Sequence, residues 1–170
     1  MLRWFLQRKI AAAERELGVP ATETRYILRH SINALFAYAS LRKISRFHGP
    51  LPADVYAAAK IAAYRQQDCG SCLQITVNLA KKSGVSVGLI RTLLDGRTDV
   101  LPEELREVSQ YAAEQANRVD NPVLRERLRQ RYGDVGLIAL ALAITSAGTF
   151  PTFKRAVGLA TSCSQVRIDI

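Results

Sequence analysis

Asp68-Cys69-Gly70-Ser71-Cys72-Leu73-Gln74-Ile75-Thr76-Val77-Asn78-Leu79-Ala80-Lys81-Lys82-Ser83-Gly84-Val85 is one helix with its punctuation written at both ends. Asp68 is a good N-cap, Lys81 and Lys82 suit the negative end of the helix dipole, and Gly84 can take the left-handed conformation that closes the last turn. Cys69 and Cys72 are three residues apart, so they share a face and can bridge one turn as a disulfide. The free N–H groups of a helix start favour an anion, and the thiolate is the reactive form of cysteine. The helix field supplies at most ~2 kcal/mol, about one and a half pKa units. Asp68 opposes it with a like charge, so modest activation is expected. Gly70 and Ser71 are small, which predicts accessible sulfurs.

Helical punctuation continues in both directions. Leu2, Phe5, Leu6, Ile10, Ala13 and Leu17 recur at helical spacing up to Gly18. Leu28, Ile32, Leu35, Phe36 and Ala39 predict a second helix ending near His48-Gly49-Pro50, and Pro52 opens a third that runs to about Gln67. Beyond the dithiol helix, Ser86 caps a short helix closed by Asp95-Gly96, and Pro102 opens another with Glu103 and Glu104 in its first turn. Asn121-Pro122 starts an arginine-rich helix to about Tyr132, and Asp134 caps an apolar one. Pro151 is expected to break the chain before a last short helix, Phe153 to Leu159. Strand signals are nearly absent. Leu51-Pro52-Ala53-Asp54-Val55 is echoed by Leu101-Pro102-Glu103-Glu104-Leu105, too weakly to define a repeat.

The chain is 170 residues long and 48% apolar, enough for one domain that buries roughly 70% of its unfolded surface. Val135 to Ala147, the most apolar run, falls short of the ~18 residues of a membrane span and reads as a buried core helix. The N-terminus lacks a sustained apolar region before its charges, which excludes a secretory signal and predicts a soluble, cytoplasmic protein. The net charge is +9, and residues 1–48 hold nine Lys/Arg against three Asp/Glu. That basic segment is either a solvated helical face or a contact for an anionic partner such as a membrane surface. No aromatic-basic motif or zinc-finger spacing points to nucleic acid.

The dithiol admits three readings from its residues. It is a redox pair, half of a zinc site completed by Cys163 with His48 or His30, or two inert core thiols. No second CxxC or HxxxH pair supports zinc, so no metal and no cofactor are expected.

The same stretch resembles the active-site helix of the carboxymuconolactone decarboxylase-like superfamily, and most of all its alkylhydroperoxidase D-like branch. The likeness continues through Leu89-Ile90-Arg91-Thr92-Leu93-Leu94-Asp95-Gly96 and covers about residues 52–96. It implies an all-α bundle over residues 51–170 with residues 1–50 as an N-terminal helical extension. It also implies a homo-oligomer, a trimer or hexamer, and thiol-disulfide oxidoreductase or peroxidase activity served by a disulfide-bearing or lipoyl-type reductant partner. In that branch the second cysteine attacks the peroxide and the first resolves it, which assigns attack to Cys72 and resolution to Cys69. Helix-end electrostatics alone favour Cys69 as the activated thiol. The branch carries a glutamate and a histidine as a proton relay, and at those positions this chain has Ala57 and Thr76. Asp68, Thr76, Tyr64 and Gln67 are the supporting residues expected around the pair, and His30 or His48 could replace the base. A non-enzymatic, oligomeric binding or redox-sensing protein of the same fold is the alternative. Decarboxylase chemistry on a lactone acid ranks last, because no histidine or carboxylate stands where it would be needed. Trp4, Phe5 and Leu6 within three positions predict an apolar surface for a second copy or, with Arg3, Arg8 and Lys9, for peripheral membrane contact.

Overall fold

The computed structural model describes residues 1–160, and every described element is helical. The helices are α1 Leu2–Leu17, α2 Thr22–His30, α3 Ile32–Ile44, α4 Ala53–Arg65, α5 Gly70–Lys82, α6 Val87–Asp95, α7 Glu103–Ala116 and α8 Pro122–Ala156. A short 3₁₀ turn, Thr98–Val100, links α6 to α7. The predicted all-α class is what the chain adopts. Cys163 lies outside the described residues.

α4 is the central helix. Its Ala-rich sequence leaves every residue from Ala57 to Tyr64 buried, because small side chains let neighbouring backbones approach from all sides. It packs most extensively on α7, then on α8, α5 and α6. The echoed Leu-Pro segments explain part of this. Pro52 and Pro102 occupy the N-cap positions of α4 and α7, and Leu51, Val55, Leu101 and Leu105 are buried in one core. A second apolar cluster, Ile10, Ile27, Leu28, Leu35 and Tyr38, holds α1–α3 together. Phe150 of α8 packs against both clusters and joins them.

Several helix ends lie where the sequence puts them. Gly18 and Gly96 are left-handed C-caps, the Ser86 hydroxyl accepts from Leu89 N–H, and Asn121 Oδ1 accepts from Leu124 N–H. Four expectations are corrected. The predicted second helix is two, split at Ser31, whose extended backbone (φ −153°, ψ 122°) ends α2 while its hydroxyl caps α3 at Ala34 N–H. Asp68 is not the cap of α5. It adopts a left-handed φ of 47°, which Asp tolerates better than most residues, and this turn makes Cys69 the N-cap. Pro151 does not end α8. Ala147, Pro151 and Lys154 are buried along one face, so packing holds the helix through the hydrogen bond that proline removes. The apolar half of α8 is also not wholly buried: Ala139, Leu140, Ala143 and Ala147 face the core, while Val135 and Ile138 are each 54% exposed. By length and composition α8 is long and apolar enough to cross a membrane, with 39% of its apolar window buried.

α8 bends at Gly133 (φ 69°, ψ 177°), in a region open essentially to glycine alone, and the expected division near Tyr132 is this bend. The bend sends the C-terminal half of α8 across α4 and α3 and brings Lys154 to the start of α5.

Candidate functional site

The two sulfurs stand 2.7 Å apart without a disulfide. Both are buried, Cys69 at 9% and Cys72 at 5% relative exposure, which corrects the expectation of accessible sulfurs. Small residues at 70 and 71 do not open the site, because α8 covers it.

One proton shared between two close thiols leaves one sulfur anionic and the other a donor, and the surroundings decide which. Cys69 is driven well below the ordinary thiol range, to about 6, first by the hydrogen bond it shares with Cys72. Burial opposes this, and the Cys72 backbone N–H, the Ser71 hydroxyl 3.7 Å away and the Lys154 ammonium add to it. Cys72 is pushed far above the usual range by that same hydrogen bond and then by burial, with Lys154 opposing. Its N-cap position, the Cys72 backbone N–H and the Ser71 hydroxyl favour the anion on Cys69, as helix-end electrostatics expect.

Lys154 is the cation of this site. It is 4% exposed, donates to Ser71 Oγ at 2.8 Å, and lies 3.3 Å from Glu23 Oε2. Burial would lower its pKa, but Cys72, Glu23 and Cys69 outweigh that and raise it. Glu23 comes from α2 and its Oε2 is fully buried. A carboxylate from the N-terminal segment, an ammonium from the end of α8, and the hydroxyl between the two cysteines thus form one chain leading to the dithiol. Sequence reading missed both charged members, since Glu23 looks like an ordinary acidic first-turn residue and Lys154 was assigned to a separate helix. Nothing local in the sequence marks either.

The predicted supporting residues separate. Thr76 is buried one turn beyond Cys72, and its hydroxyl donates to the Cys72 carbonyl at 3.0 Å. Tyr64 is buried, donates to the Ser146 carbonyl at 3.2 Å, and has its pKa raised first by burial and then by Cys72. Asp68 is an exposed turn residue. Gln67 contributes its backbone carbonyl to Arg155 at 2.9 Å, tying the α4–α5 turn to the end of α8. Neither histidine reaches the sulfurs by any hydrogen bond. His30 is exposed and packs on Tyr26, and exposed His48 binds its neighbour's carbonyl. No cluster of three metal-ligating side chains exists among the described residues.

Two cavities flank the site. The larger, about 340 Å³, lies between α1–α3 and α4–α5 and is reached by Cys72, Tyr64, Thr76 and Lys60. The smaller, about 330 Å³, is lined by Ala57, Lys60, Thr76 and His48. Ala57 and Thr76, which stand where the resembled branch has its glutamate and histidine, face this one space.

Fold and site together define an all-helical protein with a buried, electrostatically polarised dithiol at a helix N-terminus. No family model, curated protein or solved structure matches the chain.

Proposed function

We propose that the protein is a thiol-disulfide oxidoreductase of the alkylhydroperoxidase D-like kind, with Cys69 as the initiating thiolate and Cys72 as the resolving thiol. The observation that carries the reading is the pair of sulfurs 2.7 Å apart, with the Lys154–Glu23 ion pair hydrogen-bonded to Ser71 between them. A thiolate with a pKa near 6 is largely ionised at neutral pH, and nucleophilicity follows the anion. With a hydroperoxide as oxidant, Cys69 attacks the distal oxygen and the O–O bond breaks. The alcohol leaves with a proton from the Lys154 ammonium, which solvent restores, and Cys69 becomes a sulfenic acid. Cys72 then attacks the Cys69 sulfur, and its own proton departs with hydroxide as water. Two electrons pass from the dithiol to the hydroperoxide, and a lipoyl-type dithiol returns them by exchange.

The second half-reaction has a physical basis in the site. The largest cause of the high Cys72 pKa is its hydrogen bond to Cys69. Once Cys69 is covalently engaged that cause is gone, while Lys154 remains. The resolving thiol is thereby released to ionise when it is needed.

Burial of both sulfurs favours a second reading, a non-enzymatic redox-sensing dithiol. Turnover separates the two. Purified reduced protein should consume cumene hydroperoxide with dihydrolipoamide as reductant and accumulate a Cys69–Cys72 disulfide, seen as a mass loss of two hydrogens. Cys69→Ser should abolish turnover, and Cys72→Ser should stall as a sulfenic acid trapped by dimedone. A disulfide that forms without multiple turnovers would establish the sensor instead. Unchanged thiols after peroxide treatment would end both readings.

The assembly we propose is a trimer or hexamer in the cytoplasm. It is supported by the resemblance and by exposed apolar side chains at Trp4, Phe5, Val135 and Ile138. Arg8 lies over the Trp4 ring and Lys9 over the Phe5 ring, each within about 5 Å, so peripheral contact with an anionic membrane is the rival use of α1.

A further inference from the structure

Lys60 is an anomaly in the central helix. It is 5% exposed, lies among alanines, and borders both cavities. A buried ammonium ordinarily has a carboxylate beside it. Among the described residues Lys60 has none within ion-pair distance. Its hydrogen bond goes to the Ser45 carbonyl at 3.0 Å, an acceptor it shares with the Tyr56 hydroxyl at 2.8 Å, and the Tyr56 and Tyr64 rings flank it. That contact caps the end of α3, yet it uses one of three ammonium protons. A helix cap alone does not require a lysine at the base of two cavities.

The larger cavity is rich in cations that make no ion pair among the described residues. Lys9, Arg42 and Arg46 line it with Lys60. Its two carboxylates are already engaged, Glu14 by Arg25 and the Ala21 N–H, and Glu23 by Lys154. Most of the remaining wall is aliphatic and aromatic, including Leu6, Ile10, Leu35, Ile75, Leu79 and Phe150, with Thr24, Ser45, Cys72 and Thr76 the other polar members. At about 340 Å³ the space falls within the roughly 300–1,000 Å³ range of small-molecule sites. A largely apolar cavity with a buried cation that no described carboxylate pairs is complementary to a molecule with one anionic head and an aliphatic body.

We propose that this cavity binds a medium-chain aliphatic carboxylate, with its head on the Lys60 ammonium and its chain along the apolar wall between α1–α3 and α5. The N-terminal helices then have a definite role: they build one side of a fatty-acid site. Binding as such does not depend on the redox reading. Because Cys72 lines the same cavity, the bound chain would lie near that thiol.

The test uses the reduced, full-length protein and the fluorescence of bound dansylaminoundecanoic acid, displaced by decanoate, methyl decanoate or decylamine. Decanoate should displace the probe, and its methyl ester should be weaker by about tenfold or more, the loss of one charge-assisted contact. Decylamine should not compete. Lys60→Met, checked by circular dichroism, should lose about tenfold in decanoate affinity and keep its affinity for the ester. Equal binding of acid and ester, or full decanoate affinity in Lys60→Met, would overturn the proposal. Should the variant not fold, the acid, ester and amine comparison on the unaltered protein decides alone. Peroxide turnover enters none of these measurements, so failure of the redox reading and failure of this one remain distinguishable.

Discussion

Replacing Cys72 with alanine isolates the interaction that polarises the dithiol. Its thiol is the first cause of the low Cys69 pKa, which stands at about 6. An unperturbed thiol ionises near ~8.5, so the folded site favours the Cys69 anion by roughly 3 kcal/mol. Removing the Cys72 donor leaves the backbone N–H, Ser71 and Lys154 working against burial, so the midpoint should rise by about 1–2 units or more. At pH 7 the thiolate fraction would fall from about nine-tenths to about a half or less. The assay is the pH dependence of Cys69 alkylation by iodoacetamide, followed by mass spectrometry, in the reduced protein and in Cys72→Ala. The sign also fixes a stability effect. Because the folded pKa is depressed, Cys69 contributes stability that is complete above ~8.5 and is lost as pH falls through about 6. Cys72→Ala should therefore flatten the rise in melting temperature between those values. A Cys69 midpoint near 8.5 in the unaltered protein, or one that does not move in the variant, would refute the assignment of the anion to Cys69. A low midpoint on Cys72 in Cys69→Ala would move it to the other sulfur.

Lys60 is held at about 8 by burial, so its charge costs the folded state up to ~3 kcal/mol below pH 8, and the cost fades as pH rises to ~10.4. Lys60→Met should thus melt several degrees higher at pH 7, at about 2–4 °C per kcal/mol, and the advantage should shrink near pH 10. Glu23→Gln leaves the buried Lys154 charge without its carboxylate and should destabilise by roughly 3 kcal/mol in urea unfolding. Thr76→His with Ala57→Glu places a base and its carboxylate in the smaller cavity, and hydroperoxide turnover should rise about tenfold, a fraction of the ~10²–10⁴ of general acid–base help. An intact helical spectrum with unchanged turnover would show that position 76 does not correspond to the histidine of the resembled branch. Light scattering should report a trimer or hexamer, and a monomer would make vesicle sedimentation the test of α1 as a membrane contact.

The helices themselves were largely legible in the residues. Gly18, Ser86, Gly96, Pro102 and Asn121 act within one turn of chain, through left-handed backbone, a capping hydroxyl or amide, or a missing N–H. Such effects are local, so the sequence carries them openly. The dithiol was legible for the same reason, since a three-residue spacing at a helix start needs no distant partner. Ser31 was misread as helix interior although serine is a common cap, because the apolar pattern runs through it from Leu28 to Leu35. Pro151 reads in the opposite direction: a local helix breaker is overruled when one face of the helix is buried before and after it.

What only the tertiary structure decided is the chemistry around the sulfurs. Their burial, the ion pair of Glu23 with Lys154, and the burial of Lys60 without a carboxylate among the described residues all depend on helices far apart in the chain packing together. Local sequence determined where each helix begins and which residues could react. Electrostatics acts through space and depends on desolvation, so which thiol is favoured as the anion, and which buried cation lines a cavity, follows from packing between segments far apart in the chain.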